Sequence, residues 1–193
     1  LAWSLAALVW VLGGGWLLAR GVPAWPAVPR WLRCLLGLLL LWTAWLAVAQ
    51  ARMLGINFLL SVLTLVWMAD VAAYFAGKAL GGRWITRKLA ASISPGKSWE
   101  GFWGGLLVTL LLAISCMPLF DAPWSDLWRY ALLGLLTGLF SVFGDLFESL
   151  MKRHACIKDS SALIPGHGGL FDRLDSIVSG LVVFALVKYG LAL

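Results

Sequence analysis

Between Ser149 and Ser176 the chain reads SLMKRHACIKDSSALIPGHGGLFDRLDS. Lys152, Arg153, Lys158 and Arg173 are its cations, Asp159, Asp172 and Asp175 its carboxylates, and His154 and His167 the only two histidines of the chain. Cations that can hold phosphates stand beside carboxylates that can hold a metal ion, a combination suited to phosphoryl or nucleotidyl transfer. The run Pro165-Gly166-His167-Gly168-Gly169 leads up to Asp172 and Asp175. A glycine-rich turn just before a helix presents backbone N–H groups to phosphate oxygens. Asp172 and Asp175, three residues apart, share one helix face. Acids in a first helical turn also complement the macrodipole, so simple capping competes with a site.

Three further constellations lie upstream. In GDLFES, Asp145, Glu148 and Ser149 share one helix face. An ionised carboxylate within a span costs about 2.5–3.5 kcal/mol even on the lenient insertion scale. Two on one face repel unless a cation or a Lys/Arg lies between them; the alternative is a helix end that reaches head-group water. In SPGKSWEG, Lys97 and Ser98 suit a phosphate, Glu100 suits Lys97 or another base, and Pro95 suits a tight turn or a first helical turn. The glycine spacing is wrong for a Walker loop. In DVAAYFAGK, Asp70 lies deep in an apolar segment one turn before Tyr74 and needs a partner there. It either lines a site or sits protonated and hydrogen-bonded in a bundle. Oxygen-only ligands of this kind match Mg²⁺. Two histidines without a third nitrogen or sulfur ligand do not make a zinc site. His167, between glycines, therefore touches a phosphate or shapes the turn, and His154 is read as solvated.

The elements that must carry these residues are membrane spans. Of 193 residues, 62% are hydrophobic and 12% charged, with a mean hydropathy of +0.91, whereas a soluble domain carries about 25% charged residues. The expected fold is an all-α, polytopic transmembrane bundle with about six spans, at 1–19, 34–51, 53–77, 101–120, 130–148 and 176–193. Lys and Arg concentrate in loops 20–33, 78–100 and 149–175, while the alternate loops hold only Arg52 and Arg129. The positive-inside rule then makes the three basic loops cytoplasmic. The net charge of +6 is explained by that topology and by anionic head groups, and nucleic-acid binding is excluded as a function. Glycine pairs Gly77/Gly81, Gly101/Gly105 and Gly134/Gly138 have the spacing of closely packed membrane helices. Trp25, Trp31, Trp99, Trp124 and Trp128, near span ends, read as interfacial anchors. Cys34, Cys116 and Cys156 lack paired spacing; the first two are expected as buried small hydrophobes. The chain starts at Leu1 already inside a span, so it reads as the C-terminal part of a longer protein and as a single transmembrane catalytic domain over 1–193.

With these residues in hand, the chain resembles the phosphatidate cytidylyltransferase (CDP-diacylglycerol synthase) family. Ser149, Lys152-Arg153, Lys158-Asp159, His167-Gly168-Gly169, Asp172-Arg173 and Asp175 fall in register with the family signature over 27 positions. DVAAYFAGK, SPGKSWEG and GDLFES follow the family order upstream, so the resemblance covers about residues 65–180. Ser98 stands where Thr is more usual, and the hydroxyl is kept. The resemblance implies an integral membrane nucleotidyltransferase of phospholipid biosynthesis. It converts CTP and phosphatidate to CDP-diacylglycerol and pyrophosphate, requires Mg²⁺, and resides in the bacterial inner membrane with its site toward the cytoplasm. It implies Asp159, Asp172 and Asp175 at the metal, with Asp145 and Glu148 as candidates for a second cation. Lys158 and Arg173 act in catalysis. Lys97, Ser98, Lys152, Arg153, His167, Gly168 and Gly169 contact substrate phosphates, and Asp70 and Tyr74 line the wall. Partners are CTP, phosphatidate and the lipid bilayer, with a homodimer left open. Three other readings compete: a transporter or channel, which also uses intramembrane carboxylates, a CTP-using enzyme acting on another lipid, and an assembly subunit without activity.

Overall fold

A computed structural model describes residues 5, 7–161, 169 and 175–180. A π-helical stretch, Val9–Gly14, runs into α1 (Gly15–Arg20), and a 3₁₀ segment, Val22–Ala27, turns the chain toward α2 (Arg30–Met53). Three long helices follow: α3 (Ile56–Leu80), α4 (Trp99–Ser115) and α5 (Leu127–His154). No strand is present among the described residues. Among the described residues, four stretches are long and apolar enough to cross a membrane: Arg30–Met53, Ile56–Leu80, Trp99–Phe120 and Trp124–His154. These match the second to fifth expected spans. The last expected span, 176–193, is described only to residue 180, and the first, 1–19, only from residue 5 onward.

Helices α3, α4 and α5 pack on one another, and α2 leans on α3. Small residues set the spacing, since lipid offers no hydrophobic drive and contact must come from close approach. A Cβ at Gly101 of α4 would stand 2.7 Å from the Ala73 carbonyl of α3, and one at Gly105 would stand 3.0 Å from that of Ala69. The expected glycine seams are therefore where the helices meet. Helix α2 turns Ala44, Ala47 and Ala51 inward and leaves Leu38, Trp42 and Trp45 outward. Cys34 is exposed and Cys116 partly buried, and neither is disulfide-bonded; the expected burial of Cys34 does not hold, because α2 packs along its alanine stripe instead.

Helix α5 runs six residues past the expected end of its span, through Lys152, Arg153 and His154. Hydropathy stops where the charges begin, but helical hydrogen bonding does not, and cations in a last turn complement the macrodipole. This extension keeps the GDLFES acids and the following bases on one rigid rod.

The segment 81–98 between α3 and α4 is an ordered loop rather than a free linker. Leu89 N–H donates to the Lys97 carbonyl (3.2 Å), Ile93 is buried, and the Arg153 Nε–H donates to the Ile93 carbonyl (3.2 Å). Ser98 caps α4, its hydroxyl accepting from Gly101 N–H (3.1 Å). Glu100, which we expected to pair with Lys97 or another base, is instead buried with its Oε1 accepting from the backbone N–H groups of Gly82, Trp84 and Ile85 (3.1, 3.0 and 3.0 Å). One oxygen thus gathers the amides of a whole turn that no helix or sheet would satisfy. Glu100→Ala is expected to release this turn, with faster amide exchange at Gly82, Trp84 and Ile85 and new tryptic cleavage at Arg83, Arg87 and Lys88. Unchanged exchange at those amides would show that the loop is held from elsewhere.

Candidate active site

The acids predicted to share a face of the fifth span do so. Asp145, Glu148 and Ser149 line one side of α5, and the Ser149 hydroxyl donates to Asp145 Oδ1 (3.4 Å). Asp175, from the helical segment 175–180, completes the group: carboxylate oxygens of Asp145, Glu148 and Asp175 all lie within 4.8 Å of one another. What brings Asp175 there is the absence of a side chain at Gly144. A Cβ on Gly144 would stand 2.5 Å from the Asp175 carbonyl oxygen and collide with the Ser179 hydroxyl. The Ser179 hydroxyl donates to the Phe140 carbonyl on the same stretch of α5, and Ser176 N–H donates to Asp175 Oδ1 (2.7 Å).

Lysines flank the cluster. Lys97, from the loop before α4, pairs with Asp145 Oδ2, and Lys152 pairs with buried Glu148 Oε2 (2.7 Å) one helical turn on. Asp175 stands just ahead of the expected last span; burial pushes its carboxyl up to about 6, and the neighbouring Asp145 carboxylate adds to the rise. Among the described residues, three carboxylates stand against two paired lysines, an arrangement that a cation would balance. The donor set is oxygen only, the preference of hard divalent ions such as Mg²⁺. The residues present fit such an ion.

Two openings meet at the cluster. The first is a cavity of ≈ 420 Å³ whose polar lining includes Asp70, Tyr74, Lys78, Lys97, Ser98 and Asp145. Asp70 finds the partner it was expected to need in the Ser141 hydroxyl of α5, which donates to its Oδ1 (3.1 Å). Tyr74 is exposed, with the Lys78 ammonium over its ring at 5.8 Å. The second is an apolar cleft of ≈ 340 Å³ between the N-terminal helices, α2 and α5, reaching Glu148 and Asp175. The cluster thus stands between a polar chamber and an oily one.

The remaining predicted residues distribute as follows. Lys152 flanks the cluster, Arg153 is exposed and holds the 81–98 loop, and Lys158 and Asp159 are exposed in the turn after α5, Asp159 lying outside the group of three. Gly169 packs close to Ser160 and Ser161, which a Cβ there would strike. His167, Gly168, Asp172 and Arg173 lie outside the described residues. Sequence reasoning missed Ser141, Gly144 and Ser179. Gly144 had a signal, standing directly before the first acid of GDLFES, but what it faces is a contact between segments more than thirty residues apart.

Comparison with known proteins bears on the family of the chain. The family model described as "Cytidylyltransferase family" matches residues 2–190. A phosphatidate cytidylyltransferase of Pseudomonas aeruginosa is 44% identical over 197 aligned positions, covering 96% of this chain and 68% of that protein. The phosphatidate cytidylyltransferases of Haemophilus influenzae and Bacillus subtilis are 45% and 39% identical over 68% and 72% of this chain. The chain spans 45% and 49% of the lengths of those two relatives. With a family match running nearly end to end, the chain belongs to the cytidylyltransferase family.

Proposed function

We propose that the chain is the catalytic part of an integral membrane phosphatidate cytidylyltransferase, joining CTP and phosphatidate into CDP-diacylglycerol with release of pyrophosphate. The observation that carries this reading is the lysine-flanked carboxylate cluster, open on one side to a polar cavity and on the other to an apolar cleft. A reaction between a water-borne triphosphate and a bilayer-borne phosphate needs such a junction.

A phosphate oxygen of phosphatidate attacks the α-phosphorus of CTP; the new P–O bond forms as the bond between the α-phosphorus and the bridging oxygen to the β-phosphorus breaks, and its electron pair leaves on pyrophosphate. The nucleophile is already anionic, so no strong base is required. The barrier lies in bringing two anions together in line and offsetting their charge. Lys97, Ser98, Lys152 and the terminal nitrogens of Arg153 hold triphosphate oxygens, joined by Lys158, Arg173 and the His167-Gly168-Gly169 turn. Asp70 and Tyr74 form the wall of the polar cavity. Asp145, Glu148 and Asp175 would hold Mg²⁺, with Asp159 and Asp172 proposed as additional ligands and a second cation as a further proposal. Bound there, the ion supplies neutralisation of the phosphate charge. The proposed location is the bacterial inner membrane with the site toward the cytoplasm. In support, the start of α2, the 81–98 loop and the end of α5 meet at one end of the bundle, and these are the basic segments.

Membranes containing the protein are expected to convert labelled CTP and phosphatidate into a lipid-soluble nucleotide in Mg²⁺, and to stop doing so in EDTA. Label entering the lipid phase without added phosphatidate, or with a polyprenol phosphate in its place, would point to another acceptor. Nucleotide-independent ion flux in liposomes would instead mark a transporter.

A further inference from the structure

The apolar cleft has a cation, Arg33, with no ion-pair partner among the described residues. Arg33 lies in the first turn of α2 and lines the cleft together with Glu148 and Asp175, among walls that include Trp10, Leu36 and Phe147. Its guanidinium carbon sits over the Trp25 ring, 5.6 Å from the centroid, a cation–π contact that helps to position the group. Its Nε is buried and meets no hydrogen-bond acceptor. None of the ion pairs among the described residues includes it. The lysines at the same junction differ: Lys97 and Lys152 each have a carboxylate. A buried donor without an acceptor is costly, and the fork of an arginine matches two oxygens of a phosphate. A ligand that brings both an anionic phosphate and hydrocarbon would satisfy Arg33 and fill the walls together.

We propose that Arg33 receives the phosphate monoester of the lipid substrate, with an acyl chain lying along the cleft past Trp10, Leu36 and Phe147. This rests on the reaction proposed above and adds a specificity-determining residue on the lipid side, placed next to the carboxylates Glu148 and Asp175. Its charge, read along the sequence, serves topology alone; a buried Nε without an acceptor, beside the Trp25 ring, calls for a partner.

The test is kinetic and direct. In detergent–lipid mixed micelles, Arg33→Gln is expected to raise the KM for phosphatidate about tenfold or more, with the KM for CTP within about twofold of the parent. Arg33→Lys, which keeps the charge but not the fork, is expected to recover part of that loss. A KM for phosphatidate that does not move, or a rise confined to the KM for CTP, would overturn the assignment; the second result would hand Arg33 to the nucleotide. Binding of phosphatidate without CTP, read by native mass spectrometry, separates this inference from the reaction itself. Weaker binding by Arg33→Gln supports the inference even if the parent chain makes no product, and equal binding overturns it even if the parent is fully active. Should the Gln variant fail to fold, the parent and Arg33→Lys decide by the same measurement, equal phosphatidate affinity overturning the role of the fork.

Discussion

Asp175→Asn is expected to lower CTP-dependent turnover by about 10²–10³-fold, a loss on the scale of removing one preorganised electrostatic contact from a transition state. The substitution is close to isosteric, and the amide oxygen still accepts from Ser176 N–H as Asp175 Oδ1 does. The helical segment 175–180 therefore keeps its start, and what disappears is one negative charge of three within 4.8 Å. That has an opposite consequence for stability. Without a divalent ion the three carboxylates repel, so in EDTA the variant is expected to melt no lower than the parent, and above it if the repulsion is strong. Activity and stability moving in opposite directions is the mark of a site held against its own electrostatics. Turnover within twofold of the parent, at an unchanged Mg²⁺ requirement, would remove Asp175 from the metal set.

Gly144→Ala is expected to do comparable damage by geometry alone. The new methyl would stand 2.5 Å from the Asp175 carbonyl oxygen and strike the Ser179 hydroxyl, and backbone cannot swing aside as a flexible side chain can. Overpacking of this kind costs about 1–3 kcal/mol. The larger effect falls on the site, because a displacement of about 1 Å of one group can cost 10²-fold in rate. Gly134→Ala supplies the matched comparison on the same helix: its methyl would stand 2.7 Å from the Thr109 carbonyl and 2.8 Å from Ala113 Cβ, away from the acids. Both variants are expected to lose stability. Only Gly144→Ala is expected to lose the rise in melting temperature that Mg²⁺ gives the parent and the binding of Mn²⁺ seen by electron paramagnetic resonance. If Mn²⁺ binds both variants alike, Gly144 serves packing and nothing more.

Much of this was legible in the chain because it depends on short-range pattern. The second to fifth spans follow from long apolar runs, the helix seams from glycines four apart, and the shared face of Asp145 and Glu148 from a separation of three. What was not legible depends on which distant segments touch. Lys97 and Asp145 are far apart in sequence, and no local rule pairs them. Glu100 offers the same carboxylate to a lysine or to three amides, and only the fold of the 81–98 loop selects the amides. Helix α5 continues past the expected end of its span because hydropathy reports where lipid stops, not where a helix stops. Arg33 was counted as charge, since a sequence records sign without depth.

The paired openings onto one group of carboxylates also bear on transport distance. In the proposed reaction a triphosphate entering from water and a lipid phosphate monoester entering sideways from the leaflet would reach the same few ångströms without either one leaving its own medium. The bilayer is then not an obstacle to be crossed but the wall that sorts the reactants, and the new headgroup is built in place, already anchored where it will reside.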